Sequence, residues 1–125
     1  MGYQTFEDLE VWKLARQLKK DIRKLTREFP AEEKYRLTDQ VIRSSRSIGS
    51  NISEGFGRFH YKENSKFCRN ARGSLMETLS HLIDAFDEEY INEQTLSRYK
   101  IQILHCNKVL NGYIAYLNKR SMDNQ

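Results

Sequence analysis

Apolar residues recur every three or four positions over most of the chain, which is the spacing of one face of an α-helix. Runs that alternate β-branched and polar residues are absent, and the chain has a single proline, so the pattern argues against a β-sheet. The fold class is predicted to be all-α. Four long helices are expected, from about Thr5 to Phe29, Glu32 to Glu54, Lys62 to Tyr90 and Gln94 to Asn118.

Each predicted helix has one apolar stripe, which needs neighbouring helices to bury it. The stripe of the first helix consists of Val11, Leu14, Ala15, Leu18, Ile22, Leu25 and Phe29, and that of the third ends at Phe86. Because the connections are short, sequential helices are expected to be antiparallel neighbours, which gives an up-down-up-down four-helix bundle. This single domain is predicted to cover residues 1–120, with residues 121–125 as a disordered tail.

The second predicted helix is unusual in its small residues. Six of them fall within ten positions, namely Ser44, Ser45, Ser47, Gly49, Ser50 and Ser53. Serine and glycine are poor helix formers, so this helix is expected to depend on packing. Their small side chains would allow another helix to approach closely.

Several functional classes find no support in the residues. No stretch approaches the roughly 18 apolar residues of a membrane-spanning helix, and the start MGYQTFEDLE lacks the features of a signal peptide. A cytoplasmic protein without membrane contact is therefore expected. The three histidines have no metal-ligand spacing, and Cys68 and Cys106 lie on apolar stripes as reduced, inert thiols. We predict no metal, no cofactor, no catalytic residue and no enzymatic activity.

The charge pattern points to a polyanionic partner. The formal net charge is +4, and the segment from Lys13 to Arg27 contains seven basic residues against one acid, Asp21. These residues form a basic ridge opposite the apolar stripe. Such a ridge binds phosphate backbones favourably, because each neutralised phosphate releases condensed counterions. The alternative is an ordinary solvated helix face. The candidate RNA- or DNA-binding residues are Lys19, Lys20, Arg23, Lys24 and Arg27, with Arg16 and Arg58 as secondary candidates.

A second basic set and an acidic cluster polarise the chain further. The basic set comprises Arg43, Arg46, Arg58, Lys62, Lys66, Arg69 and Arg72, and the acidic cluster comprises Asp84, Asp87, Glu88, Glu89 and Glu93. In a ring of identical subunits a basic patch would repeat into a broad surface. Alternatively, basic and acidic faces of adjacent subunits would pair and direct assembly.

Five residues lie away from the predicted core and are candidates for an oligomer interface: Leu9, Trp12, Tyr35, Ile42 and Gly49. Tryptophan is enriched at interface hot spots, so an interface role for Trp12 is favoured over stacking on an unpaired base. The loop from Gly55 to Tyr61 mixes aromatic and basic residues. It would either cap the bundle end with Phe56 and Phe59 or hold single-stranded nucleic acid.

Three motifs resemble a known family. The segment Phe6–Leu18 has an aromatic residue, a short acidic stretch and a tryptophan-containing amphipathic helix. The segment Arg43–Arg58 reads RSSRSIGSNISEGFGR, and Ala71, Gly73, Ser74, Leu75 and Glu77 form a third pattern. Together they resemble the four-helix bundle proteins encoded in intervening sequences of bacterial 23S rRNA genes, over nearly all 125 residues.

The resemblance implies a four-helix protomer that assembles as a homopentamer and has no enzymatic activity. One branch of that family is similar to accessory proteins of diversity-generating retroelements, which cooperate with reverse transcriptases and bind nucleic acid. Our hypothesis is a non-enzymatic oligomer that binds RNA or DNA through a basic surface. The alternative is an interaction scaffold or accessory subunit for a reverse transcriptase or nuclease.

Overall fold

The computed structural model describes residue 2 and residues 4–123 of the chain. Four α-helices, two short 3-10 helices and no strands are found in this part, which confirms the all-α prediction. The helices are α1 (Glu10–Thr26), α2 (Leu37–Phe56), α3 (Tyr61–Asp87) and α4 (Glu93–Asp123).

Polar pairs between sequential helices establish their directions. Ser44 and Ser47 of α2 meet Thr78 and Ser74 of α3, respectively, so these two helices are antiparallel. Ser65 and Arg72 of α3 meet Asn118 and Asn111 of α4, which makes that pair antiparallel as well. The helices contact one another in the cyclic order α1, α2, α3, α4 and back to α1, as expected for an up-down-up-down bundle.

The apolar stripes meet in one core along the bundle axis. Fully buried side chains come from every helix and include Leu18, Ile22, Ile48, Ile52, Leu75, Leu82, Ile103 and Leu110. Phe86 departs from its predicted stripe, because it lies at the end of α3 and more than a third of its surface is exposed. In the described part of the chain no helix has both the length and the apolarity needed to cross a membrane.

The first helix begins five residues later than predicted. Thr5 and Asp8 do form the expected capping box, but the turn they cap is a short 3-10 helix, Phe6–Asp8. Leu9 follows in extended backbone and then α1 begins at Glu10. The helical wheel that placed Leu9 off the core is therefore wrong at this position. Leu9 is only 2% exposed and belongs to the core of its own protomer.

The second helix also begins five residues later, and this moves Tyr35 off it. Pro30 is followed by a short 3-10 helix, Ala31–Glu33, and the backbone of Arg36 is not helical. The Glu33 carboxylate accepts a hydrogen bond from the Leu37 backbone N–H at 3.3 Å, which caps the true start of α2. Tyr35 therefore does not share a face of α2 with Ile42 and Gly49 as predicted. It is 83% exposed in the connection before the helix.

The last helix extends further than predicted. Residues 121–123, expected to belong to a disordered tail, continue α4 as far as Asp123. The Arg120 guanidinium lies over the Tyr61 ring at 5.6 Å, which ties this end of α4 to the start of α3. Cations are also favourable near a helix C-terminus. The tail prediction is wrong for residues 121–123, whereas residues 124 and 125 lie outside the described part of the chain.

Candidate nucleic-acid interface

A groove runs between α1 and α2 on the outside of the bundle, with a cavity volume of about 530 Å³. We call it the α1–α2 groove. Its apolar lining comes from Phe6, Trp12, Ala15, Ile42 and Gly49. Its basic lining comes from Arg16, Lys19, Lys20, Arg23 and Arg46. The volume falls in the range of roughly 300–1,000 Å³ that is typical of ligand-binding clefts.

Small residues of α2 leave room for the Trp12 side chain at one end of this groove. A Cβ atom placed on Gly49 would lie 3.5 Å from Trp12 Nε1 and 3.9 Å from Ala15 Cβ. The Phe6 ring packs edge-on against the Trp12 indole at 5.0 Å, and the Arg16 guanidinium lies over that indole at 5.7 Å. These contacts hold Trp12 partly buried within its own protomer.

The charge of the groove is uniformly positive. Five cationic side chains line it, and among the described residues no acidic side chain does. Asp21, the acid within the basic segment of α1, lies on the α4 side instead. Its carboxylate accepts hydrogen bonds from Gln17 at 2.9 Å and Gln102 at 3.0 Å, and its carbonyl accepts one from the Tyr99 hydroxyl at 3.0 Å. Asp21 is thus engaged away from the groove cations.

The structure divides the predicted nucleic-acid residues into three groups. Arg16, Lys19, Lys20 and Arg23 line the groove together. Lys24 and Arg27 are exposed at the C-terminal end of α1, outside the groove lining. Arg58 lies in the α2–α3 connection, where it pairs with Glu54 at 3.2 Å and Glu63 at 3.8 Å. Its guanidinium also lies over the Phe67 ring at 4.8 Å, so Arg58 is already occupied within the protomer.

Arg46 is the one cation of the described groove lining that is not among the predicted nucleic-acid-binding residues. It appears in the sequence as one member of a second basic set, and its link to the α1 ridge depends on which face of α2 turns towards α1. Ser45 and Gly49, the small residues flanking it on that face, line the same groove. A helical wheel of α2 with these small residues facing α1 would have placed Arg46 there.

The predicted oligomer-interface residues also divide. Trp12, Ile42 and Gly49 share the α1–α2 groove, whereas Leu9 is buried in the core and Tyr35 lies in the connection before α2. An interface through Trp12, Ile42 and Gly49 stays a prediction. Of the two phenylalanines predicted to cap the bundle end, Phe56 packs against the core, whereas Phe59 is 94% exposed.

The other side of α2 contacts α3 through small or polar residues, which we call the α2–α3 seam: Ser44, Ser47, Gly55, Asn64, Ser74 and Thr78. The hydroxyls of Thr78 and Ser44 lie 2.9 Å apart, and the Ser74 hydroxyl donates to Ser47 at 2.9 Å. Thr78 is fully buried. Much of the sequence pattern that resembles the family therefore serves packing between helices.

Metal-binding clusters and solvent-accessible thiols are both absent from the described residues. In residue 2 and residues 4–123, no group of three or more histidine, cysteine, aspartate and glutamate side chains is placed to hold a metal ion. Burial raises the pKa of Cys68 to about 12 and that of Cys106 to about 11, so both thiols stay protonated at neutral pH. A protonated, buried thiol is a poor nucleophile.

Comparison with known proteins agrees with this architecture. A sequence model described as 23S rRNA-intervening sequence protein matches residues 7–112. A crystal structure of a protein of unknown function from the S23 ribosomal protein family of Bacteroides thetaiotaomicron superposes with a TM-score of 0.76 and 24% identity, covering 83% of this chain and 97% of that one. At this identity the likeness describes the fold. A search of curated proteins finds no match.

Proposed function

The chain belongs to the 23S rRNA-intervening sequence protein family, and we propose that it binds RNA or DNA through the basic lining of the α1–α2 groove. Neither the family nor the structural neighbour has an established function, and neither indicates an enzymatic activity. The observation that supports binding is the grouping of five cations around one groove without an acidic side chain in the described lining.

The mechanism is neutralisation of phosphates. Each phosphate neutralised by lysine or arginine releases condensed counterions, and the logarithm of the affinity falls by roughly 0.7–0.9 per contact for each decade of salt. Lys20, Arg23 and Arg46 are exposed and take part in no ion pair within the described part of the chain. Binding therefore does not first require an internal salt bridge to break. Lys24 and Arg27 extend the contact beyond the groove.

The test measures the affinity of the purified protein for structured RNA, single-stranded RNA and duplex DNA over a salt series. Replacing Lys20, Arg23 and Arg46 with glutamate should weaken binding at least about hundredfold and flatten the salt dependence. The matched control replaces Lys34, Lys62 and Lys66, three exposed lysines outside the groove lining, with glutamate. It changes the net charge equally, and its binding should fall much less.

An equal loss of affinity in the two triple variants would show that nucleic acid binds outside the groove or responds only to net charge. An absence of binding by the unmodified protein at low salt would overturn the proposal. Circular dichroism should show that both variants keep their helices, because all six substituted side chains are exposed.

Self-association is a second part of the proposal, and a different surface supports it. Large apolar side chains on the outside of α3 and α4 are exposed, namely Met76, Ile83, Ile101, Leu104 and Tyr116. Ile101 is 69% exposed, and exposed apolar side chains that form a contiguous patch are typical of interfaces. We expect copies of this chain to associate there as a closed ring, a pentamer as the family resemblance implies. A partner protein such as a reverse transcriptase or nuclease is the alternative occupant.

Mass measurement by light scattering tests this expectation. Replacing Ile101 and Leu104 with glutamate should convert an oligomer to monomers without loss of helix content. A monomeric unmodified protein would contradict self-association and favour the partner protein. An oligomer that survives the double substitution would place the interface on another face.

A further inference from the structure

Trp12 gives the α1–α2 groove a chemical character that phosphate binding does not use. It is the only tryptophan in the chain, and it lies partly buried in the groove lining among five cations. Phosphate contacts alone do not require an aromatic surface beside the cations. The combination suits a ligand that is aromatic on its faces and anionic at its edges.

An unpaired nucleotide is such a ligand. Bases in a duplex are stacked inside the helix, so their faces cannot reach an indole that is partly recessed in a groove. A base in a single strand can turn out of the strand and stack on an aromatic ring, while the flanking phosphates meet lysine and arginine. Arg16 already lies over the Trp12 ring, and guanidinium planes stack on bases as well.

A second copy of the chain fits the groove less well. The most exposed apolar side chains of the helices, which a second copy would bury first, lie on α4 and not in this groove. A two-fold contact between two such grooves would also bring ten cations together. Like charges placed against each other cost free energy and oppose association.

We propose that the α1–α2 groove is a binding site for an unpaired base of a single-stranded RNA or DNA segment, which stacks at Trp12 while Lys20, Arg23 and Arg46 hold phosphates further along the same strand. This inference rests on the proposed function and narrows it from polyanion binding to recognition of single strands. Trp12, Lys20, Arg23 and Arg46 thus have assigned roles, and the missing Cβ of Gly49 leaves space beside the indole.

Trp12 fluorescence reports directly on the site, because no other tryptophan contributes to the emission. The probes are a single strand of mixed sequence, an abasic strand of the same length and the fully paired duplex, in whichever of RNA or DNA binds more tightly in the salt series. The single strand should quench Trp12 emission and bind about tenfold more tightly than the abasic strand, which is the order that one stacked base contributes. The duplex should leave the emission nearly unchanged.

A variant that fills the groove without altering its charge provides an independent check. In Gly49→Leu the added side chain occupies the space beside Trp12 Nε1, and all five cations remain. This variant should lose the roughly tenfold preference for bases over the abasic strand and keep the salt-dependent binding. The matched control is Gly49→Ala, whose single added carbon makes only ordinary contacts and should keep the preference.

The three probes separate base stacking at Trp12 from phosphate binding by the cations. Equal binding of all three probes without quenching would retain phosphate binding and overturn the base site. Absence of binding to every probe would overturn both. A Trp12 emission that changes with protein concentration alone would assign the groove to a second copy. Retention of the base preference in Gly49→Leu would move the site away from this groove.

Discussion

Helix α2 presents small residues to both of its neighbours, yet the two contacts differ completely. Towards α3 it forms the α2–α3 seam, in which Ser44 and Ser47 meet Thr78 and Ser74 at hydrogen-bonding distance. Towards α1, Gly49 leaves the α1–α2 groove, because the facing residues are Trp12 and long cationic side chains. Small residues on one helix allow close approach only where the facing side chains of the other helix are small as well. The facing side chains decide whether a serine- and glycine-rich helix closes a contact or leaves a groove.

Substitutions at the two glycines of α2 test whether this helix packs more closely against α3 than against α1. A Cβ on Gly55 would lie 2.7 Å from Asn64 Oδ1, 2.9 Å from the Asn64 carbonyl oxygen and 2.9 Å from Phe67 Cβ. Backbone cannot yield without separating α2 from α3. Gly55→Ala should therefore lower the free energy of unfolding by about 2 kcal/mol even though alanine is the better helix former.

Gly49→Ala is the matched control for Gly55→Ala. Its added Cβ makes contacts of 3.5 Å or longer with side chains, so the gain in helix propensity, up to about 1 kcal/mol, should prevail. Urea denaturation followed by circular dichroism, at one protein concentration for all variants, measures both changes. Equal effects at the two positions would show that the seam is not closer than the groove.

Removing a hydroxyl of the α2–α3 seam should have a smaller effect on the free energy of unfolding. Thr78 Oγ1 lies 2.9 Å from Ser44 Oγ and 2.8 Å from the Ser74 carbonyl oxygen, with no access to water. Thr78→Val keeps the shape and removes the hydroxyl, which should cost about 1 kcal/mol in the free energy of unfolding. The control on the groove side is Ser53→Ala, which removes a hydroxyl bonded only within α2 at 3.0 Å. Its unfolding free energy should change by less than about 0.5 kcal/mol.

The comparison also explains which features the sequence could predict. Apolar residues recur every three or four positions, so the number and order of the helices and most of their core residues follow from periodicity, whereas the helix starts do not. Leu9 and Tyr35 were misplaced because a helical wheel assumes a continuous helix, and each lies in a connection that local capping determines. The capping of α2 depends on the Glu33 side chain, whose position no periodic pattern reveals.

The groove was harder to predict than the helices, since it depends on which faces of α1 and α2 meet. Arg16, Lys19, Lys20 and Arg23 were found from their common face, whereas Arg46 required knowledge of the neighbouring helix. Arg58 differs from the groove cations for another reason. Its basic side chain is as visible in the sequence as the others, but Glu54, Glu63 and Phe67 gather around it only in the folded chain.

The smallest predicted effect concerns the end of the bundle, where α1 passes into α2. The Tyr90 hydroxyl donates to Glu33 Oε2 at 2.7 Å and ties the α3–α4 connection to the start of α2. This hydrogen bond is the main cause that lowers the pKa of Glu33 below its ordinary value of 4.5 and raises the pKa of Tyr90 to about 12. The link therefore joins a carboxylate to a phenol that stays protonated, whereas the seam consists of neutral groups.

Acid should consequently weaken this link and leave the seam intact. A carboxyl group with a lowered folded-state pKa stabilises the fold above its unfolded-state pKa, and that contribution is lost as the pH falls through the folded-state value. The difference in urea midpoint between the unmodified protein and Tyr90→Phe should thus be full at about pH 7 and shrink below pH 4.5. The corresponding difference for Thr78→Val should not change over that range, because neither Thr78 nor its partners titrate. A pH-independent Tyr90→Phe difference would show that the ionised form of Glu33 contributes nothing to holding this end of α2.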